Sequence, residues 1–257
     1  MKLILNKNKC IGKVIYVVEG DVTESLIIKK VFNNVLGYNV VEYNKVKDEY
    51  IELASSTDKY SKVYIIPSKY SAINKVFEIN DYLLNIYQKL AINYELDIEN
   101  SAVYYLFDRD RKSNRPASIY KAFDKLANAR DNDDYEMNGL MLMSYPSIEA
   151  FYCNCYSDYI HLASGMEAKE ISTEYLDDYL HPQQLINASD YVLEKICDIT
   201  NQESFDLDCL NNFEDINIQI FEYEEQEFFA SKGYDTLSLL FISLIDIGII
   251  EIDDVTN

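Results

Sequence analysis

Residues 102–110 have the sequence AVYYLFDRD. Six apolar residues, of types that favour β-strands, are followed at once by two carboxylates, Asp108 and Asp110. The run predicts a buried strand over 102–107 that ends in an acidic loop. In sheets of parallel strands, functional groups collect at the carboxyl ends of the strands. This stretch therefore indicates both the fold class and the edge of the sheet where a site would lie.

The surrounding sequence alternates further strands with helices. Strands are predicted over 13–19, 39–43, 63–66 and 140–144, and helices over 21–36, 71–92, 117–129 and from Pro146 onward. Such alternation favours an α/β fold with a mostly parallel sheet flanked by helices. We predict an α/β domain over residues 1–160, followed by an acidic, mainly helical C-terminal region over 161–257.

The net charge of −21 is divided unevenly along the chain. Residues 1–130 carry 20 Lys+Arg against 16 Asp+Glu, a net charge of +4, whereas residues 131–257 carry 3 against 28, a net charge of −25. The N-terminal part can approach a polyanion that the C-terminal part would repel. The densest acidic run is 222–227, and three interpretations of this region stay open. In the first, the region is a solvated helix face. In the second, it is a docking surface for a basic partner protein. In the third, it shields the loop that contains Arg109, Arg111 and Arg115.

Composition narrows the class of protein. Five cysteines and two histidines without a Cys-x-x-Cys pair do not form a zinc framework. The odd number of cysteines and the lack of a secretory signal predict a reduced, cytoplasmic protein. The longest apolar run, 237–250, is interrupted by Asp246 and is too short to cross a bilayer. We therefore read it as a buried helix or a pair of strands and expect no membrane association.

Acidic residues follow three of the predicted strands. Glu19 follows the first strand, Asp108 and Asp110 follow residue 107, and Glu149 lies just beyond Ser144. Hard carboxylate oxygens placed together bind Mg²⁺ or Mn²⁺, which bridge to substrate phosphates. We therefore expect Mg²⁺ or Mn²⁺ as the cofactor. Glu149 has a second reading, as a first-turn glutamate favoured by the helix dipole.

Basic residues surround the two aspartates. Three of the four arginines of the chain, Arg109, Arg111 and Arg115, lie in this loop together with Lys112. A guanidinium group matches phosphate oxygens in pairs. The loop is therefore predicted to bind substrate phosphate, although these cations can instead neutralise the aspartates beside them.

Two motifs of the chain resemble those of the Toprim family, the catalytic domain of topoisomerases, primases and OLD-type nucleases. That family has a glutamate after its first strand and an Asp-x-Asp after a later one, as Glu19 and the pair Asp108/Asp110 are placed here. A narrower resemblance is to the small RloB-like Toprim proteins of bacterial phage defence and abortive infection. Their Glu-Gly-x-x-Thr-Glu matches EGDVTE at 19–24, and their Asn-Pro-x-x-Glu-x-Trp aligns with YPSIEAF at 145–151. Tyr145 replaces the asparagine and Phe151 replaces the tryptophan. The resemblance covers residues 12–160.

The resemblance implies a Toprim-like catalytic domain over 1–160 that cleaves phosphodiester bonds with Mg²⁺ or Mn²⁺. Its catalytic residues would be Glu19, Asp108 and Asp110, joined by Glu149 as metal ligands, with Gly20 and Glu24 in support. Glu24 can equally close a helix cap with Asp21 by reaching back to a backbone amide. The resemblance points to cleavage of RNA such as tRNA or of DNA, of which we favour RNA, and to a role as the toxic effector of an anti-phage system. It also implies a regulatory partner such as an ATPase subunit, and leaves homo-oligomeric assembly open.

Other activities fit the sequence less well. The chain is too short for the strand-passing gate of a topoisomerase, and neither a polymerising apparatus nor a zinc module of a primase is visible. A catalytically silent adaptor that acts through protein binding is an alternative, but the intact Glu19, Asp108 and Asp110 argue against it. A sensor that holds a small phosphate ligand is another alternative, and it would not be a P-loop protein because no Gly-x-x-x-x-Gly-Lys motif is present.

Overall fold

The computed structural model describes residues 2–20, 22–41, 50–67, 88–109, 111–112, 114–131, 139–156 and 161–253. The strands, in chain order, are β1 (Leu3–Leu5), β2 (Lys13–Val18), β3 (Tyr38–Val40), β4 (Ile51–Ser55), β5 (Lys62–Pro67), β6 (Ser101–Asp108), β7 (Ala127–Asn128), β8 (Gly139–Tyr145), β9 (His161–Leu162), β10 (Tyr234–Asp235), β11 (Leu237–Ser238) and β12 (Ile250–Ile252). The α-helices are α1 (Thr23–Lys29), α2 (Pro116–Lys125), α3 (Ala150–Tyr156), α4 (Gly165–Tyr175), α5 (Pro182–Thr200), α6 (Glu214–Ser231) and α7 (Leu240–Asp246).

The main sheet has the strand order β11-β8-β6-β2-β5-β4-β3, and β7 also pairs with β8. The four central strands β8, β6, β2 and β5 are parallel, whereas the strands at both edges run antiparallel to their neighbours. The central strands are continuous apolar runs because helices cover both faces of a parallel sheet. Every residue of β8, for example, is buried. The predicted α/β class is confirmed, with a mixed sheet whose centre is parallel.

Most predicted elements are present with shifted ends. The helix predicted over 21–36 is α1 continued by π-helical turns at Lys30–Val35. The strand predicted over 39–43 is β3, which ends at Val40, and positions 42 and 43 lie outside the described residues. Most of the helix predicted over 71–92 also lies outside them, and Lys89–Asn93 forms a π-helical turn.

Two predicted helices needed correction. The helix predicted over 117–129 ends at Lys125, because Ala127 and Asn128 leave it to pair with Leu140 and Gly139 of β8. The helix predicted from Pro146 begins only at Ala150, because residues 147–149 form a turn against the end of β6. The first difference comes from pairing with a strand, and the second comes from a hydrogen bond to the side chain of Asp108.

The C-terminal region contributes to the main sheet and to its core. β11 extends the sheet beyond β8, with Leu237 opposite Tyr145 and Ser238 opposite Ser144, and β12 pairs with β1. The ring of Phe151 stacks on that of Phe241, with centroids 5.1 Å apart. One hydrophobic core therefore extends across residue 160, and the boundary placed there stays a prediction. Within the described ranges, no helix is both long and apolar enough to cross a membrane.

Candidate functional site

Three of the predicted acidic residues lie at the same edge of the sheet. Glu19 directly follows β2, Asp108 is the last residue of β6, and Glu149 lies in the turn after β8. β2, β6 and β8 are adjacent and parallel, so their carboxyl ends meet. Asp110, the fourth predicted acidic residue, lies outside the described residues.

Hydrogen bonds connect these acidic residues to the backbone of the neighbouring strand or turn. The backbone N–H of Asp108 donates to Glu19 Oε2 at 3.2 Å, and the N–H of Ile148 donates to Asp108 Oδ1 at 2.7 Å. Ser147 Oγ in turn donates to Glu149 Oε2 at 2.7 Å. The end of each strand is thus tied to the next, which fixes the carboxylates relative to one another.

The electrostatics of this edge centre on Asp108. Burial, and then the negative charges of Glu149, Glu19 and Glu24, raise the pKa of Asp108 well above its usual value of 3.8, while the hydrogen bond from Ile148 acts against this shift. Carboxylates this close oppose one another's ionisation. A bound cation would remove that opposition, because its positive charge favours the ionised form of every neighbouring acid.

The donor atoms at this edge fit Mg²⁺ or Mn²⁺ in chemical type, since both ions prefer carboxylate oxygens and keep several waters. Within the part of the chain that the structure describes, no three His, Cys, Asp or Glu side chains are grouped closely enough to hold a metal ion by themselves. An ion held by Asp108 and Glu149 would therefore need a further donor, and Asp110 is the predicted acidic residue that falls outside that part.

Asp108 and Glu149 line a cleft of about 550 Å³. Its other walls come from the loop after β6 and from the C-terminal region, through the start of α4 and the end of α6. Four cationic residues line it, namely Arg109, Arg111, Lys112 and Lys169. The sequence analysis did not predict Lys169 as a site residue. The one sequence feature that could have pointed to it is that residues 131–257 contain just three basic residues.

Arg109 lines the cleft but is buried and pairs with the C-terminal region. Its side chain is 1% exposed, and its Nε donates to Glu225 Oε1 at 2.8 Å. Its Nη1 donates to the carbonyl oxygen of Asn114 at 3.2 Å, and its guanidinium group lies 5.2 Å from the ring centre of Phe221. In this position the guanidinium group ties the acidic loop to α6, and its predicted contact with a substrate phosphate stays a prediction.

Arg111 shares the same carboxylate, with its Nη1 3.0 Å from Glu225 Oε2. Its guanidinium group also lies 4.2 Å from the ring centre of Phe228 and 4.7 Å from that of Phe229. Glu225, which belongs to the acidic run 222–227, was not predicted as a site residue. The partner of these two arginines is thus a carboxylate of the C-terminal region.

The remaining predicted residues occupy supporting positions. The N–H of Gly20 donates to Glu24 Oε1 at 2.8 Å, so Glu24 does reach back to a backbone amide. A Cβ atom at Gly20 would lie 3.0 Å from both carboxylate oxygens of Glu24, so a larger residue here would displace that side chain. Arg115 is the exposed residue before α2, and it is not among the described residues that line the cleft.

Comparison with known proteins gives little similarity. No family model and no curated protein matches the chain. Among solved structures, the cytosolic domain of the T. maritima FeoB iron transporter in its GMPPNP form is 13% identical over 85% of this chain and 84% of that chain, with a TM-score of 0.18. The same domain in its GDP form II is 14% identical over 92% and 96%, also with a TM-score of 0.18. A structural likeness at this level supports no conclusion about fold or function.

Proposed function

We propose that this chain is a Toprim-type, metal-dependent nuclease. The observation that carries the proposal is the meeting of Glu19, Asp108 and Glu149 at the ends of three adjacent parallel strands, beside a cleft that also contains cationic side chains. Carboxylates beside cations suit a phosphodiester, because the acids hold a metal ion while the cations bind phosphate oxygens.

Asp108 and Glu149, with Asp110 and Glu19, would hold Mg²⁺ or Mn²⁺. The ion would polarise the phosphoryl oxygens and stabilise charge on the leaving oxygen. Lys112 and Lys169 are assigned to the phosphates that flank the cleaved bond, because both line the cleft. Arg109 supports the loop, and Glu19 holds the Asp108 amide and is the candidate to move a proton.

The substrate and the biological setting follow the resemblance to the RloB-like proteins. We propose RNA such as tRNA in preference to DNA, and a role as the toxic effector of an anti-phage or abortive-infection system. A regulatory partner such as an ATPase subunit is part of the same proposal.

Cleavage assays test the nuclease proposal directly. Purified protein is incubated with end-labelled tRNA pools and with single- and double-stranded DNA, in Mg²⁺, in Mn²⁺ and in EDTA. We expect metal-dependent cutting that Asp108→Asn and Glu149→Gln each reduce by about 100-fold or more, since both remove a charge from the metal site. Asp124→Asn is the matched control, because Asp124 is an exposed acid on α2. Cutting that survives in both site variants, or absence of cutting by the folded wild type on every substrate, would reject the proposal.

A phosphate-ligand sensor is the second candidate, and the cleft favours it in one respect. Its volume of about 550 Å³ falls within the range of small-molecule pockets. Sensor and nuclease would both bind the metal, so binding does not separate them. Tight binding of a mononucleotide without turnover on any polymer would favour the sensor.

A further inference from the structure

We propose, on the basis of the nuclease function above, that the cleft takes single-stranded nucleic acid and that Phe229 and Arg111 form the platform on which one unpaired base stacks. The polymer is thereby restricted to strands, loops or ends with an exposed base. The sequence motifs did not predict base stacking for either residue.

Phe229 presents an aromatic face beside the cleft. It lies in the last turn of α6 and is 63% exposed, whereas its neighbour Phe228 lines the cleft. The two rings are 6.5 Å apart and nearly perpendicular. An exposed ring at this place can stack on a base, and aromatic side chains serve as such platforms wherever proteins bind single strands.

Arg111 links this ring to the cleft. Its guanidinium group lies 4.7 Å from the ring centre of Phe229, and the group also lines the cleft. Glu225 holds it from the other side at 3.0 Å, so the planar cation is fixed before any ligand arrives. A platform that is already ordered loses little conformational entropy on binding.

The charges around the platform suit the strand that would carry the base. Lys112 and Lys169 line the same cleft and can bind the phosphates next to the stacked base. Met166, which is 75% exposed and also lines the cleft, adds an apolar surface. In a duplex the faces of the bases are already stacked on one another, so only an unpaired base can use this platform.

Binding assays test this inference without cleavage. The full chain is titrated, in EDTA and at low salt, with a fluorescein-labelled oligonucleotide of mixed sequence, as a single strand and as a duplex. We expect the wild type to prefer the single strand. Phe229→Leu should weaken single-strand binding by about 5- to 150-fold, the range for losing one base stack. It should leave duplex binding unchanged. Phe229→Tyr should bind like the wild type, because it keeps the aromatic face.

Two comparisons make the outcome decisive. An oligonucleotide with abasic positions should show no difference between the wild type and Phe229→Leu, because there is no base to stack. Thermal unfolding of Phe229→Leu should match that of the wild type, since the side chain is exposed.

If Phe229→Leu binds the single strand as tightly as the wild type does, the inference is wrong. The nuclease proposal would then still stand, provided that cutting depends on Asp108. If the wild type neither binds nor cuts any nucleic acid, both proposals fail.

Discussion

At the scale of single residues, two buried tyrosines differ in one hydrogen bond. Tyr16 and Tyr145 are both fully buried, but the hydroxyl of Tyr16 bonds with Ser243 Oγ at 2.9 Å. The hydroxyl of Tyr145 has no hydrogen-bond partner among the described residues. A buried unpaired hydroxyl costs about 1–3 kcal/mol, whereas a paired one contributes about 1 kcal/mol.

We therefore predict opposite effects of the same chemical change. Tyr145→Phe should raise the free energy of unfolding by about 1 kcal/mol, and Tyr16→Phe should lower it by about the same amount. Urea unfolding followed by circular dichroism measures both values. Equal shifts of the same sign in the two variants would show that the hydroxyl of Tyr145 does have a partner.

Residues also differ in how far the sequence identifies their role. Glu19, Asp108 and Glu149 could be predicted as neighbours because each closely follows an apolar run that forms a central strand. Glu225 could not, because 116 residues separate it from Arg109 and nothing local distinguishes it from the other glutamates of its helix. The buried position of Arg109 depends on the same distant contact, so the sequence could not show that its guanidinium group pairs with Glu225.

At the scale of elements, α6 holds the acidic loop with one face. Phe221, Glu225 and Phe228 are four and three residues apart, and this spacing places them on the same side of a helix. They contact the guanidinium groups of Arg109 and Arg111. Asn114, which accepts from Arg109, donates its Nδ2–H to the carbonyl oxygen of Asp108 at 3.2 Å. The helix therefore positions the loop on which the site depends.

Removing the charge of Glu225 should loosen that loop. We predict that Glu225→Gln lowers the free energy of unfolding by about 3 kcal/mol, because it leaves the buried Arg109 without its counter-charge. Glu222→Gln is the control, since Glu222 is exposed on the same helix and, among the described residues, accepts a hydrogen bond from Tyr120 Oη alone, at 3.2 Å. Chemical unfolding of the two variants side by side gives the comparison. Equal stabilities would mean that Glu225 does not hold the loop.

The sequence did not predict the short strands that form only by pairing with a neighbouring strand. β7 continues a helical pattern in the sequence, but Ala127 and Asn128 pair with β8 as a two-residue strand. The run 237–250 combines β11, α7 and the start of β12, where one helix or one pair of strands was expected. Periodicity identifies long amphipathic elements, and it has no information on short strands whose stability comes from the strand beside them.

At the scale of the whole molecule, part of the uneven charge is balanced by ion pairs between the N-terminal part and the C-terminal region. Three of the four arginines form ion pairs with acids of the C-terminal region: Arg109 and Arg111 with Glu225, and Arg130 with Asp246 at 2.7 Å. Lys30, also from the N-terminal part, donates to the carbonyl oxygens of Tyr175 and Leu176 at 2.6 and 3.1 Å. The acidic region therefore interacts with its own chain, whatever partner its exposed acids bind.

This arrangement predicts that residues 1–160 do not fold alone. The cut would remove Phe221, Leu237 and Phe241 from the shared core, and the loss of one large core side chain typically costs about 3–5 kcal/mol. Three such losses amount to about 9–15 kcal/mol, which is as large as the whole stability of a typical domain, about 5–15 kcal/mol. The cut would also remove β11 from the edge of β8 and leave Arg109 buried without Glu225.

We expect fragment 1–160 to show no cooperative thermal transition by circular dichroism, and co-expression with fragment 161–257 to restore one. A cooperative transition in fragment 1–160 alone would show instead that the boundary at residue 160 separates two independent domains.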